Sequence, residues 1–239
     1  MGFDGDDTLW RCQDAFDAAQ AELRQLLTPF ADPQAIDDTL DEREAANLAV
    51  YGYGVKGFTL CAVETAAHLA GSGLAADLIQ HVLGLGQDML TAPVELLSGA
   101  AEAVAALRAA GHRLVLITKG DLIDQERKLA ASGLAQNFDH VEILSDKTPQ
   151  KYAELLRLLE CPPAAFLMVG NSLRSDVGPV LAIGARAVHV PYHTTWHHEN
   201  DDTWRGHPTL RVITSLQELP TAIAEQALPK GRRQRSDLT

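Results

Sequence analysis

The chain has 239 residues, 46% hydrophobic and 22% charged, with a formal net charge of −12. That length buries a core as one large domain or two modest ones, and the composition is that of a folded globular protein. The acidic balance argues against a nucleic-acid or membrane partner, and no apolar run approaches the roughly 20 residues of a membrane span.

Cys12, Cys61 and Cys161 are odd in number and far apart. They argue against a disulfide framework or a zinc site and fit a reducing, cytoplasmic compartment. An acidic stretch begins almost at Met1, so no signal peptide is expected. In that stretch Gly2 to Asp4 read as the end of a short buried strand, with Asp4 at its carboxyl tip and Asp6 in the turn that follows. Strand tips are where open parallel sheets bind ligands. Two carboxylates so close cannot both ionise cheaply unless a cation joins them or one keeps a proton. Taken alone, the stretch reads equally well as a solvated acidic turn.

Phe16, Ala19, Leu23 and Leu26 recur at helical spacing until Pro29 and Pro33. Ile36, Leu40 and Ala45 continue in a second amphipathic pattern, and Tyr51 to Gly57 is a glycine-rich break. Phe58 to Leu69 predicts a third helix, and Ala75 to Leu90 a fourth that Gly84 and Gly86 weaken. Residues 13–93 therefore predict a small helical bundle.

Past Pro93 the pattern alternates. Gly99 to Ala110 is a helix stopped by Gly111, and Arg113 to Thr118 is a continuous apolar strand suited to burial on both faces. A helix from Leu122 to Ser132, a strand at Val141 to Ile143 and a Pro-started helix from Pro149 to Leu159 follow. Strands at Ala165 to Val169 and Arg186 to Val190, an edge strand at Leu210 to Ile213 and a helix from Leu216 to Ala227 complete the pattern. The fold class is α/β, a doubly wound parallel sheet. Residues 1–12 and 94–228 form the core, 13–93 are inserted after the first strand, and 229–239 form a polar tail. A bundle inserted there sits above the strand tips as a lid.

Polar residues collect at four of those tips. Thr118, with the amides of Lys119 and Gly120, suits an anion. Lys147 suits a phosphate and the charge of Asp4. Asn171 and Asp176 suit a hard cation such as Mg²⁺. Each, taken singly, has an ordinary reading as a strand end, a surface lysine or a helix start.

Together they carry a resemblance to the haloacid dehalogenase-like hydrolases. Asp4-Gly5-Asp6-Asp7-Thr8-Leu9 is similar to the family's D-x-D-x-T-[LV] motif. Leu116-Ile117-Thr118-Lys119-Gly120-Asp121, Ser145-Asp146-Lys147-Thr148-Pro149 and Val169-Gly170-Asn171-Ser172-Leu173-Arg174-Ser175-Asp176 resemble the second, third and fourth motifs, in the family's order. The resemblance implies a Rossmann-like core with a C1 cap, and a Mg²⁺-dependent phosphatase acting on a small phosphorylated metabolite. Asp4 would be the nucleophile and Asp6 the acid and base. Thr118 and Lys147 would grip the phosphoryl oxygens, and Asp4, the Asp6 carbonyl and Asp176 would hold the metal. Asn171, also at the metal, stands where most such phosphatases have Asp. Lys147 fits the strand end better than Lys151, which lies inside the next helix. A monomer or homodimer is expected.

Three alternatives stay open: a 2-haloacid dehalogenase, a catalytically degenerate phosphate-binding or regulatory protein, and a mutase. Dehalogenases of the family lack the second Asp of the first motif, so Asp6 favours phosphoryl chemistry. Lys56 is a candidate contact for an anionic substrate group, and Trp10, Arg11 and Asp121 are candidates for the entrance. His193, His197 and His198, with no Cys beside them, read as a polar loop rather than a ligand set.

Overall fold

The structure is a computed structural model that describes residues 1–199, 201 and 203–227, without the side chains of 198 and 225–227. The expected tail, 229–239, lies outside the described residues. One sheet holds β1 (Gly2–Phe3), β2 (Val115–Lys119), β3 (His140–Leu144), β4 (Leu167–Gly170), β5 (Arg186–His189) and β6 (Leu210–Val212). Their order is β3-β2-β1-β4-β5-β6, and each adjacent pair is parallel. The chain therefore reverses its direction of winding at β1, the switch point where such sheets open a crevice.

Alternation along each strand explains the continuous apolar runs. Leu114 and Leu116 join Phe3, Val169 and Val188 on one face. That face packs on α5 (Ala100–Ala109), α6 (Leu122–Ala131) and α9 (Leu219–Ala227). Val115, Ile117, Met168 and Ala187 face the other way, onto α7 (Pro149–Leu158) and α8 (Gly178–Ala182). Both faces are covered, so neither residue set of a strand can be polar.

β1 is two residues long yet firmly held. The Met1 carbonyl accepts from Val115 N at 2.8 Å, and Asp4 N donates to the Val169 carbonyl at 2.9 Å. Its brevity is thus compensated by a neighbour on each side. Gly2 fills a place with no room for a side chain. A Cβ there would lie 2.6 Å from Phe166 and 2.9 Å from Ile117.

Between β1 and α5 the chain forms α1 (Gln13–Leu27), α2 (Pro33–Tyr51), α3 (Val55–Ala70) and α4 (Ala76–Thr91). Asp32 caps α2 by accepting from Ala35 N at 3.0 Å, ahead of Pro33. Leu23, Leu27, Ile36, Leu40, Phe58 and Val82 build a core of their own, separate from the two sheet cores. The break between α2 and α3 is shorter than the glycines suggest. It spans Gly52 to Gly54, and Gly57 lies inside α3 where a Cβ would meet the Gly52 carbonyl at 2.5 Å. Gly86 likewise sits mid-helix because its backbone lies against Thr59. No described helix is long and apolar enough to cross a membrane.

The two connections to this helical block run side by side. Leu97 N donates to the Leu9 carbonyl and Arg11 N to the Glu95 carbonyl, both at 2.9 Å. Asp7, at φ 59, turns its carboxylate onto the start of α1. It accepts from Cys12 N at 2.8 Å and Gln13 N at 3.0 Å, satisfying amides that a helix start leaves open. Burial first, against those amide bonds, raises the Asp7 carboxyl to about 7.

Two stability predictions follow from these contacts. Gly2→Val should cost about 1–3 kcal/mol through overpacking, read as a lower urea midpoint. Asp7→Ala loses the cap and puts at positive φ a residue that tolerates it less well than Asp or Asn, for a combined cost of about 2 kcal/mol, whereas Asp7→Asn should cost less than half of that.

Candidate active site

Three strand ends meet in a buried ion cluster. Lys147, three residues past β3, reaches Asp4 Oδ1 at 2.5 Å and Asp176 Oδ1 at 2.7 Å. The three residues are 4%, 6% and 1% exposed, in the order Lys147, Asp4, Asp176, so these charges interact with little solvent screening. One ammonium serves two carboxylates. Burial and then the charge of Asp176 push the Asp4 carboxyl upward against the pull of Lys147. Burial works against the Lys147 ammonium, but the charges of Asp176 and Asp4 outweigh it and hold Lys147 well above the ordinary lysine range. Lys151 points elsewhere, half exposed on α7 and 3.5 Å from Glu154.

Asp176 arrives by a local device. After β4 the chain makes one π-helical turn, Leu173–Val177, a geometry that recurs at functional sites. Ser172 N donates to Asp176 Oδ2 at 3.0 Å. Gly170 is required beneath it, because a Cβ there would fall on the Asp176 carboxylate. Thr8, fully buried, donates to Asp4 Oδ2 at 3.3 Å.

Asp6 is held by Trp10, which the sequence placed at an entrance, and by Lys128 and Gln125, which it did not single out. Trp10 Nε1 donates to Oδ1 at 2.7 Å, Lys128 Nζ to Oδ1 at 3.0 Å and Gln125 Nε2 to Oδ2 at 2.8 Å. Gln125 Oε1 in turn accepts from Thr118 at 2.9 Å, which links Asp6 to the end of β2. Burial favours the neutral acid, but Lys128 and these donors outweigh it and hold Asp6 below the ordinary carboxylate range. Lys128 also meets Asp124 at 3.2 Å. On α6 the usual exposure is inverted. Asp124, Gln125 and Lys128 are 3%, 2% and 8% exposed, while Leu122 and Ile123 are 56% and 68% exposed. Polar residues at i, i+1 and i+4 directly after a motif are the one signal that could have found this face.

Several expected positions differ. The Gly120 amide is engaged by the Leu144 carbonyl at 3.3 Å, so it is not open to an anion. Lys119 Nζ ion-pairs with Glu199, donates to Ser175 Oγ at 2.9 Å and lies 3.8 Å over the Tyr53 ring. Glu199, absent from the sequence reading, also accepts from Ser172 and Ser175, each at 2.5 Å. Lys56 pairs with Asp121 at 2.9 Å and lies outside the residues lining the cavity. Trp10 is fully buried under Asp6 rather than at an entrance. Arg11, half exposed, pairs with Asp14 at 2.8 Å in a neighbouring cleft. His193 meets Asp14 at 2.8 Å and His197 lies edge-on to Trp196; the His198 side chain lies outside the described residues.

Asn171 occupies the space between the two acids of the first stretch. Oriented so that nitrogen meets oxygen, its amide donates to Asp4 Oδ2 at 3.1 Å and to Thr8 Oγ1 and the Asp6 carbonyl at 3.2 Å. No three His, Cys, Asp or Glu side chains converge as a metal cluster among the described residues. The oxygens around Asn171 nevertheless suit a hard cation: a carboxylate, a backbone carbonyl and, with the amide turned, its own oxygen. A cavity of about 170 Å³ rises from Asp4, Asp6, Thr118 and Lys147 to side chains of α1, α2 and α3.

Comparison with known proteins identifies relatives of the chain. Residues 2–184 match the model of a family described as haloacid dehalogenase-like hydrolase. A haloacid dehalogenase-like family hydrolase of known structure from Xanthomonas campestris is 42% identical, with 94% of this chain and 89% of that chain covered and a TM-score of 0.84. A 2-haloacid dehalogenase from Pseudomonas syringae pv. Tomato DC3000 is 21% identical, with 95% and 98% covered and a TM-score of 0.62, a likeness of fold alone. A glyceraldehyde 3-phosphate phosphatase of Methanothermobacter thermautotrophicus is 29% identical over 118 residues, 47% of this chain and 52% of that protein. The chain thus spans about half the length of this curated relative. The family match covers most of the chain, including the switch point that carries Asp4, and on that ground the chain belongs to the haloacid dehalogenase-like hydrolases.

Proposed function

We propose that this hydrolase cleaves a small phosphomonoester through an aspartyl-phosphate, with α1–α4 as the lid over the reacting group. The observation that carries the reading is Asp6, a second carboxylate two residues beyond Asp4 and fastened beside it by Trp10, Gln125 and Lys128. Displacement of a halide from carbon has no use for such a group, whereas an alcohol leaving from phosphorus needs a proton. The phosphatase relative lends support through its name, and the dehalogenase through its fold alone.

In this reading an Asp4 oxygen bonds to phosphorus as the bond to the alcohol oxygen breaks. A proton passes from Asp6 to that oxygen. Water then attacks phosphorus, its proton returns to Asp6, and the Asp4–phosphorus bond breaks to release phosphate. Asp6 rests ionised, the form that the second half needs. The incoming phosphoryl charge favours its protonation for the first half. Thr118 and Lys147 bind the phosphoryl oxygens. Mg²⁺ would be held by Asp4, the Asp6 carbonyl, Asn171 and Asp176, and would supply positive charge to the phosphoryl group.

Asp6→Asn should lower kcat on p-nitrophenyl phosphate by roughly 10²–10⁴-fold, and Asp4→Asn should abolish turnover. Unchanged activity in Asp4→Asn would assign the turnover to a contaminant. Chelation should remove the activity and Mg²⁺ restore it. Asn171→Asp should tighten Mg²⁺ roughly tenfold by calorimetry, since it adds a charge to the donor set. Chelator-insensitive release of halide from 2-chloropropionate would replace this reading with dehalogenation.

A further inference from the structure

Beyond the strand tips that carry Asp4, Thr118 and Lys147, the cavity has a second wall that includes Phe16 and Gln20 of α1, Glu44, Asn47 and Tyr51 of α2, and Trp196. The three α2 residues are spaced at i, i+3 and i+7 and share one face. The lining cations are Lys119, Lys128 and Lys147, and each is already engaged: by Glu199, by Asp6 with Asp124, and by Asp4 with Asp176. They belong to the β2 end, α6 and the loop after β3, so α1 and α2 bring no lysine or arginine to the cavity lining.

The hydrogen-bond donors of that wall are engaged as well. Gln20 Nε2 donates to Asp37 at 3.0 Å and Asn47 Nδ2 to Glu64 at 2.8 Å. Tyr51 donates to Glu64 at 2.5 Å, and the Trp196 side chain donates to Glu44. Beyond the second N–H of the Gln20 and Asn47 amides, what this wall offers a ligand is a set of acceptors and no cation: the Glu44 carboxyl and the amide oxygens of Gln20 and Asn47. Glu44 makes no ion pair among the described residues. Burial and then the charge of Asp41 raise its carboxyl to about 7, against the Trp196 hydrogen bond.

Resting on the phosphomonoesterase reading, we infer that the wall selects an alcohol portion that donates hydrogen bonds and carries no second negative charge, a small polyol or amino alcohol, with Glu44 as its principal acceptor. A wall of acceptors binds hydroxyl or ammonium donors and leaves a ligand carboxylate unpaired, which is costly once water is excluded. Phe16 and Trp196 supply faces on which an ammonium would also be favoured.

The test measures kcat/KM of the full chain with Mg²⁺ on small esters of matched size. Glycerol 3-phosphate and ethanolamine phosphate should exceed phosphoglycolate and 3-phosphoglycerate by about tenfold or more, and their ratio to each other separates polyol from amine. Glu44→Gln should narrow the advantage over the anionic esters, and Glu44→Lys should move preference toward them, both checked for folding by thermal melting. Equal or better turnover of the anionic esters by the wild type, or an unchanged ratio in both variants, overturns the inference. If p-nitrophenyl phosphate is turned over in that case, the failure is of this inference alone. If no ester is turned over, the phosphomonoesterase reading falls with it.

Discussion

Lys147 between Asp4 and Asp176 is the contact on which the rest of the molecule depends. Three charges are taken out of water at the ends of three parallel segments, and none is tolerable there alone. Their mutual pairing fixes how β1, the loop after β3 and the turn after β4 meet. Gly170, the π-helical turn and the Ser172 amide all serve the placement of Asp176. A buried ion cluster of this kind contributes little net stability beside a hydrophobic alternative. In the proposed phosphoryl transfer it would serve as a pre-organised field at the reacting group.

Around that cluster, hydrogen bonds are shared in a chain rather than in isolated pairs. Thr118 donates to Gln125, Gln125 to Asp6, and Lys128 joins Asp6 to Asp124. Such a network fixes rotamers, because moving one member leaves a buried neighbour unsatisfied. It explains why α6 turns its polar residues inward and leaves Leu122 and Ile123 in solvent.

Much of the fold was legible because its causes are local. Residues 113–118 read as a strand buried on two faces and 165–169 as a buried strand; β2 and β4 follow at 115–119 and 167–170, with Arg113 and Ala165 exposed ahead of them, and successive strand side chains enter different cores. The helix start at Pro149 was legible from its proline, whereas Pro33, read as ending the first helical run, opens α2 behind the Asp32 cap. Asp4, Thr118, Lys147 and Asp176 were legible as strand-end residues whose polarity had no packing role. Lys128, Gln125 and Glu199 were not, because their partners Asp6, Asp6 and Lys119 are 122, 119 and 80 residues away in sequence. Nothing local separates a buried helix lysine from an exposed one. The entrance assigned to Trp10 and Arg11 failed for a related reason: an indole N–H that satisfies Asp6 is better buried than lining a mouth. Lys56 was diverted by Asp121, the cap of α6, a partner 65 residues away.

The paired connections at Leu9–Arg11 and Glu95–Leu97 carry a mechanical consequence. Asp4 is tied to the sheet through Val169, and Asp7 is tied to α1 through its first amides. Asp6 stands between them, bonded to Trp10 on the ribbon and to Gln125 and Lys128 on the sheet side. Asp4 is thus mounted on the sheet, while the residue three places later is mounted on the helical block. Any tilt of the helical block is a torque on the peptide units that separate them, and it is felt first at the carboxylate of Asp6.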